Sequence, residues 1–218
     1  MAERFDLIVF DWDGTLLDSA AAIVRAIQAA SRDLGLPAPS DERARHVIGL
    51  GLTDALAFAV PELSEADYPR MVERYRHHYL SSDHELNLFA GTEAMIATLV
   101  ERGHLLGVAT GKSRAGLDRA LSHTGLGAHF LATRCADECH SKPHPQMLHE
   151  LMVELGTAPE RTLMIGDTTH DLQMAEAAGV AALAVTFGAH PADVLRRHEA
   201  LAYIERPEDL GPWLAANA

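Results

Sequence analysis

Short apolar runs alternate along the chain with stretches of helical periodicity, the pattern of a parallel sheet flanked by helices. Phe5 to Phe10 reads as a buried first strand, and Leu105–Ala109, Thr162–Ile165 and Ala181–Val185 as three more. Turns containing Gly or Asp follow these runs. Helices are predicted over Ser113–His123 after the second strand, over Pro145–Leu155, and over Thr169–Ala178 after the third. An open α/β arrangement of this kind gathers its strand-end loops along one sheet edge, where such folds bind ligands.

The alternation breaks between about Ser19 and Ser82. Ala20 to Leu34 carries Ala, Ile, Val and Leu at helical spacing and stops at Gly35. Asp41–Val47, Thr53–Val60 and Ser64–Leu80 are also helical in pattern, with no strand between them. The expected organisation is therefore an α/β core formed by residues 1–17 and 88–218, with a small all-helical cap over 18–87 inserted after the first strand. Gly14–Ser19 and Ser81–Ala90 are the expected linkers.

At 218 residues the chain is long enough for one large domain, or a core with a small insert. Its 48% hydrophobic and 22% charged residues are those of an ordinary globular protein. No apolar run approaches the roughly 18–20 residues of a membrane span. The first residues, Met1-Ala2-Glu3-Arg4, lack the pattern of a secretory signal, so a cytoplasmic location is the expectation. The net charge of −13 argues against nucleic acid or an anionic membrane as partner, but leaves room for a small anion at a locally positive site. Lysine occurs twice, at Lys112 and Lys142, which makes both positions informative. Cys135 and Cys139, followed by His140 and His144, suggest a zinc site, but four ligands crowded into ten residues lack the two separated knuckles of such sites. Two reduced thiols beside a loop are expected instead.

The candidate chemistry sits at the strand ends. The first strand runs into Asp11-Trp12-Asp13-Gly14-Thr15-Leu16, placing two carboxylates at the mouth of a buried strand. A bare Asp-x-Asp is usually a solvated turn, but burial there is costly unless a cation offsets the charge. A second acidic pair, Asp167 and Asp171 in Gly166-Asp167-Thr168-Thr169-His170-Asp171, also follows an apolar strand. Carboxylates converging on one edge repel without a metal, and their hard oxygens suit Mg²⁺. Thr110-Gly111-Lys112-Ser113 joins a hydroxyl, a Gly turn and a helix start, a natural phosphate cradle. It lacks the upstream glycine spacing of a nucleotide-binding P-loop. Lys142, followed by Pro143 and Pro145, is placed to neutralise Asp11 and a transferring phosphoryl group.

In this order and spacing the four segments resemble the haloacid dehalogenase superfamily of phosphohydrolases, over essentially the whole chain. The run Asp11–Ser19 (Asp-Trp-Asp-Gly-Thr-Leu-Leu-Asp-Ser), the Lys142-Pro143 pair and Gly166-Asp167-Thr168-x-x-Asp171 carry the likeness. The helical insert resembles the family's first cap type, as in phosphoglycolate phosphatases. The resemblance implies a doubly wound, Rossmann-like parallel sheet and an Mg²⁺-dependent phosphatase that acts on a small phosphorylated metabolite, as a monomer or homodimer. By the same resemblance, Asp11 is the nucleophile that forms an aspartyl-phosphate, and Asp13 protonates the leaving alcohol and then activates water. Thr110 and the N–H of Gly111 bind phosphoryl oxygens, while Lys142 orients Asp11 and the phosphate. Asp11, Asp167 and the main-chain carbonyl of Asp13 hold the metal, and Asp171 supports it directly or through water.

Asp13 separates branches of the family, because members that cleave carbon–halogen bonds need no acid two residues after the nucleophile. The phosphonate-cleaving branch uses a cap lysine, and no lysine precedes Lys112. The alternative is a sugar phosphomutase of the β-phosphoglucomutase type. Mutases retain a second phosphate through a cap arginine, whereas the matching stretch here, His46-Val47-Ile48-Gly49-Leu50-Gly51-Leu52, has none after its first glycine; Arg43 and Arg45 are the nearest substitutes. A binding module that retains the fold without catalysis is a third class, disfavoured by the intact carboxylates. Phosphoglycolate is the family-level expectation for substrate. Outside the motifs, His46, His77, His78, His104 and His123 are expected at or near the surface, and His170 to face solvent. Trp12 should pack on the side of the strand away from Asp11 and Asp13, and Tyr68, Tyr75 and Tyr79, at helical spacing, within the core or cap.

Overall fold

The computed structural model describes residues 4–218. Six strands form one parallel sheet in the order β3-β2-β1-β4-β5-β6. They are β1 (Leu7–Phe10), β2 (Leu105–Thr110), β3 (Ala132–Cys135), β4 (Thr162–Gly166), β5 (Ala181–Val185) and β6 (Tyr203–Ile204). The predicted strands are all present. β3 and β6 add to them: β3 reads Ala-Thr-Arg-Cys and β6 spans two residues, so neither edge strand carries the continuous apolar run of a central one.

The two faces of the sheet are covered separately. Strand pleating sends Ile8 and Phe10 into one cluster, with Ile96 and Leu99 of α5 (Thr92–Glu101) and Leu117 of α6 (Arg114–Thr124). Leu7 and Val9 enter the opposite cluster, with Leu148 and Leu151 of α7 (Gln146–Leu155) and Leu172 and Met174 of α8 (Thr169–Ala178). The short α9 (Ala192–Leu195) and the C-terminal α10 (Pro207–Asn217) complete the layers. Because β1 lies centrally, with β2 and β3 on one side and β4 to β6 on the other, the chain reverses its direction of travel across the sheet at β1. This switch point opens a crevice beyond the strands' C-terminal ends.

The interval after β1 holds α1 (Ala20–Asp33), α2 (Asp41–His46), α3 (Leu52–Ala59) and α4 (Tyr68–Leu80). Their apolar faces meet in a third cluster built around Ile23, Ile27, Leu56 and Met71, to which the sheet-bearing part contributes Ala189. α4 starts four residues later than its periodicity predicts. Ser64 and Asp67 close a turn on each other instead, and Pro69, which has no N–H to donate, sits in the first helical turn. The outgoing and returning chains run side by side, with Leu17 bridged antiparallel to Leu88. Asp18 N donates to Asn87 O at 3.0 Å, and Phe89 N to Leu16 O at 2.9 Å.

Candidate active site

β1 is apolar and fully buried, and the residue after it, Asp11, is buried as well. Its backbone is fixed by a hydrogen bond from its own N–H to Ile165 O, 2.9 Å away. Phe10 is in register with Val108 of β2 and Ile165 of β4, so Thr110 and Asp167 follow on either side, each one residue beyond the level of Asp11.

The Lys142 ammonium lies 2.9 Å from Asp11 Oδ1 and 2.6 Å from Asp171 Oδ1, with all three side chains buried. Burial works against its charge, but the two carboxylates outweigh that cost and hold the lysine above its ordinary pKa. Asp11 Oδ1 also accepts from Trp12 N at 2.6 Å, whereas Asp11 Oδ2 has no partner among the described residues. Asp167 accepts from Thr15 Oγ1 and from Ala189 N, both at 2.7 Å. Gly14 holds φ +80°, and a Cβ there would collide with the Asp167 carboxylate, so glycine is needed for the close approach of the two loops. Asp171 uses its second oxygen to accept from Thr168 N at 3.0 Å and Thr168 Oγ1 at 2.7 Å, closing a capping box at the start of α8.

One carboxylate oxygen from each of Asp11, Asp167 and Asp171 lies within 4.8 Å of the others. Burial, followed by the charge of Asp171, pushes Asp167 up to about 7, and burial with its carboxylate neighbours raises Asp11 well above the usual range. Three buried acids beside one lysine, one of them with an unpartnered oxygen, form a donor set of the hard, all-oxygen kind that Mg²⁺ takes. Cys135 and Cys139 are not part of any such group among the described residues. Burial pushes their thiols up to about 12 and about 11, so they stay protonated.

The geometry adds partners that the motifs alone did not reveal. Asp13 accepts from Ser19 Oγ at 2.6 Å, and its Oδ2 pairs with Lys112 Nζ at 3.0 Å. Lys112, placed by the β2–α6 loop, also donates to Tyr79 Oη at 3.1 Å on α4. Burial opposes its charge, but Asp13 and the two tyrosines Tyr79 and Tyr75 overcome this and raise its pKa. Thr110 is buried and accepts from Lys112 N at 3.2 Å, while Gly111 lies beneath the Gly49-Leu50-Gly51 segment. A Cβ at Gly111 would collide with the carbonyl oxygens of Gly49 and Leu50. Gly51 N donates to Ser141 Oγ at 2.8 Å, so the helical insert rests closed on the strand-end loops.

Two histidine expectations are corrected. His170 does not face solvent: it is buried, and its Nε2 lies 2.8 Å from His46 O. His190 Nε2 lies 3.1 Å from the same carbonyl, and its Nδ1 accepts from Thr169 N at 3.1 Å. The His46 and His190 rings stack with centroids 5.2 Å apart, which clasps α2 to the β5–α9 loop. Burial, then His170, pushes His190 down to about 4. His104 is buried too, 2.9 Å from Phe5 O. Trp12 packs as expected, edge-on to Phe130 at 6.1 Å.

The family model for haloacid dehalogenase-like hydrolases matches residues 8–185. Among curated relatives, "Probable phosphatase IndB" of Dickeya dadantii is 39% identical, covering 88% of this chain and 86% of its own. A 5′-nucleotidase of Pseudomonas aeruginosa is 33% identical, covering 93% and 92%. A phosphoglycolate phosphatase of Aliivibrio fischeri is 32% identical, covering 86% and 87%. A solved hydrolase from Pseudomonas syringae, 23% identical, superposes with a TM-score of 0.88 over 98% of both chains, which shows the fold. With the matched segment running from the first strand to the fifth and enclosing every strand-end motif, the chain belongs to the haloacid dehalogenase-like hydrolases, as a phosphatase-like member of that family.

Proposed function

We propose that the protein is an Mg²⁺-dependent phosphomonoesterase that passes a phosphoryl group from its substrate to Asp11 and from there to water. The observation that carries this reading is Asp11 Oδ2: a buried carboxylate oxygen with no partner among the described residues, on a side chain whose other oxygen is held by Lys142 and which lies beside Asp167 and Asp171. Asp11 Oδ2 attacks phosphorus as the bond to the leaving alcohol breaks, and Asp13 gives that oxygen its proton. Asp13 then takes a proton from the water that attacks the aspartyl-phosphate, and inorganic phosphate leaves with Asp11 restored. Thr110 and the N–H of Gly111 hold phosphoryl oxygens, and Lys142 offsets charge on Asp11 and the phosphoryl group. Asp11, Asp167 and the carbonyl of Asp13 would hold Mg²⁺, with Asp171 in support; the ion, when bound, supplies positive charge to the transferring oxygens.

Hydrolysis is favoured over a mutase because the segment lying on Gly111 carries Leu50 and no arginine, and neither Arg43 nor Arg45 lines the cavity beside it. Relatives of nearly equal identity are named for different phosphates, so the class supported is a small phosphomonoester. The test is inorganic phosphate release from a panel of phosphomonoesters with and without Mg²⁺. Release that requires the ion is expected; isomerisation of a hexose 1-phosphate without release would replace this reading with the mutase.

Lys112 and Ser19 aim the Asp13 carboxylate by gripping one oxygen each. Lys112→Met is expected to lower kcat by about 10–100-fold, part of the roughly 10²–10⁴ that a positioned proton donor contributes, with little change in KM. Lys112→Arg should recover a share of the loss. Steady-state kinetics on the preferred ester would check this, and an unchanged kcat would remove Lys112 from the role.

A further inference from the structure

Between the helical insert and the strand-end loops lies a cavity of about 1080 Å³, at the top of the roughly 300–1,000 Å³ range of small-molecule sites. It opens on Asp13, Gly111 and Lys112, beside the proposed phosphoryl site, so a group esterified to the phosphate has room to extend into it. The wall opposite these residues is largely apolar, with Ile23, Leu52, Val72 and Tyr75 among its side chains. Tyr75 stacks on Tyr79 at 17° and 6.0 Å, presenting a broad aromatic surface.

Two of the cations lining the cavity are already paired, and the remaining basic residues, His84 among them, are exposed. Lys112 pairs with Asp13 at 3.0 Å, and Arg119 with Asp83 at 2.6 Å. Arg76, His123 and His140 are solvent-exposed residues of the rim. A carboxylate-bearing leaving group such as glycolate would enter this space without a dedicated buried partner and would leave most of it to water. A buried charge needs such a partner, whereas an apolar body gains by covering the wall.

Resting on the phosphatase reading above, we infer that the substrate is the phosphomonoester of a bulky, uncharged alcohol of nucleoside size with an apolar face, in place of a small carboxylated one. Contacts made by the remote body are then available to raise kcat/KM, because binding energy far from phosphorus can be spent on positioning it.

The experiment compares kcat/KM with Mg²⁺ for adenosine and uridine 5′-monophosphates, ethyl phosphate and phosphoglycolate, using native protein, Leu52→Trp and Val72→Trp. The nucleotides are expected to exceed both small esters by at least about tenfold, the scale at which pocket contacts discriminate. Each tryptophan intrudes on the apolar wall and should cut nucleotide turnover about tenfold while ethyl phosphate stays within about twofold. Retention of the small-ester activity shows that the variant has folded. Phosphoglycolate or ethyl phosphate equalling the nucleotides would overturn the inference and leave the phosphatase reading intact, as would tryptophan variants that slow every ester alike. No release from any ester would overturn both.

Discussion

Asp11→Asn is expected to release inorganic phosphate at least about 10⁴-fold more slowly than the native protein, the scale of loss when a covalent nucleophile is removed. An amide oxygen is a poor nucleophile, and the neighbouring acids cannot replace it: Asp171 is bound to Lys142 and Thr168, and Asp167 to Thr15 and Ala189. The same substitution should make the metal-free protein more stable. It removes one of three buried carboxylates that share a single lysine, while Lys142 keeps Asp171 at 2.6 Å. At this chain length about 1 kcal/mol moves the thermal midpoint by roughly 2–4 °C, so a rise of a few degrees is expected in EDTA. Loss of activity with a higher midpoint separates a chemical role from a structural one. A variant that turns over normally would end the nucleophile assignment.

The second large effect joins metal to protons. Mg²⁺ at about 100-fold over its dissociation constant adds roughly 2.7 kcal/mol to a protein that binds it only when folded. That stabilisation should grow as pH rises from about 4 to about 7. In the metal-free fold Asp167 is raised to about 7, so across this window the native state keeps a proton that an unfolded aspartate has already lost. The raised Asp167 therefore stabilises the metal-free fold only toward acid, and that contribution fades as pH climbs through 7. A metal ligand must be deprotonated, so binding below pH 7 has to expel this proton, at about 1.4 kcal/mol per pH unit. His190, lowered to about 4, acts in the opposite sense: its contribution is present above about 6.5 and is lost as pH falls toward 4. Burial, which the ion leaves in place, is the largest cause of its shift, so the difference between melting curves in Mg²⁺ and in EDTA reports chiefly on the carboxylates. Asp167→Asn should abolish most of that difference. An increment independent of pH would mean that these acids are not the ones the ion displaces protons from.

The candidate site was legible because its residues are tied to local pattern. Asp11 and Asp167 each follow an apolar run, and Asp171 lies four residues after Asp167 at the start of a predicted helix. Central strands announced themselves because both of their faces are buried. β3 did not, since as an edge strand it carries Arg134, whose guanidinium reaches out to Glu150 and Glu154. The histidine clasp escaped because its members come from three separate segments, with His46 and His170 lying 124 residues apart. No periodicity links them. Lys112 stood within a recognisable loop, but its side chain turns back to Asp13 and Tyr79, a direction set by the closed insert and not by its neighbours in sequence.

The bridge between Leu17 and Leu88 has a consequence for how such proteins diversify. The chain leaves the sheet-bearing part and re-enters it at neighbouring points, so the intervening seventy-odd residues impose almost no spacing on the strands that follow. Closing so long a loop costs little more than closing a short one, because the entropy grows only with the logarithm of its length. The inserted helices also bury their apolar faces chiefly against one another. The segment is thus a cassette: a lineage can trade it for another of different shape, and with it one wall of the cavity, while the register of β1 with β2 and β4 and the acids beyond them stay as they are.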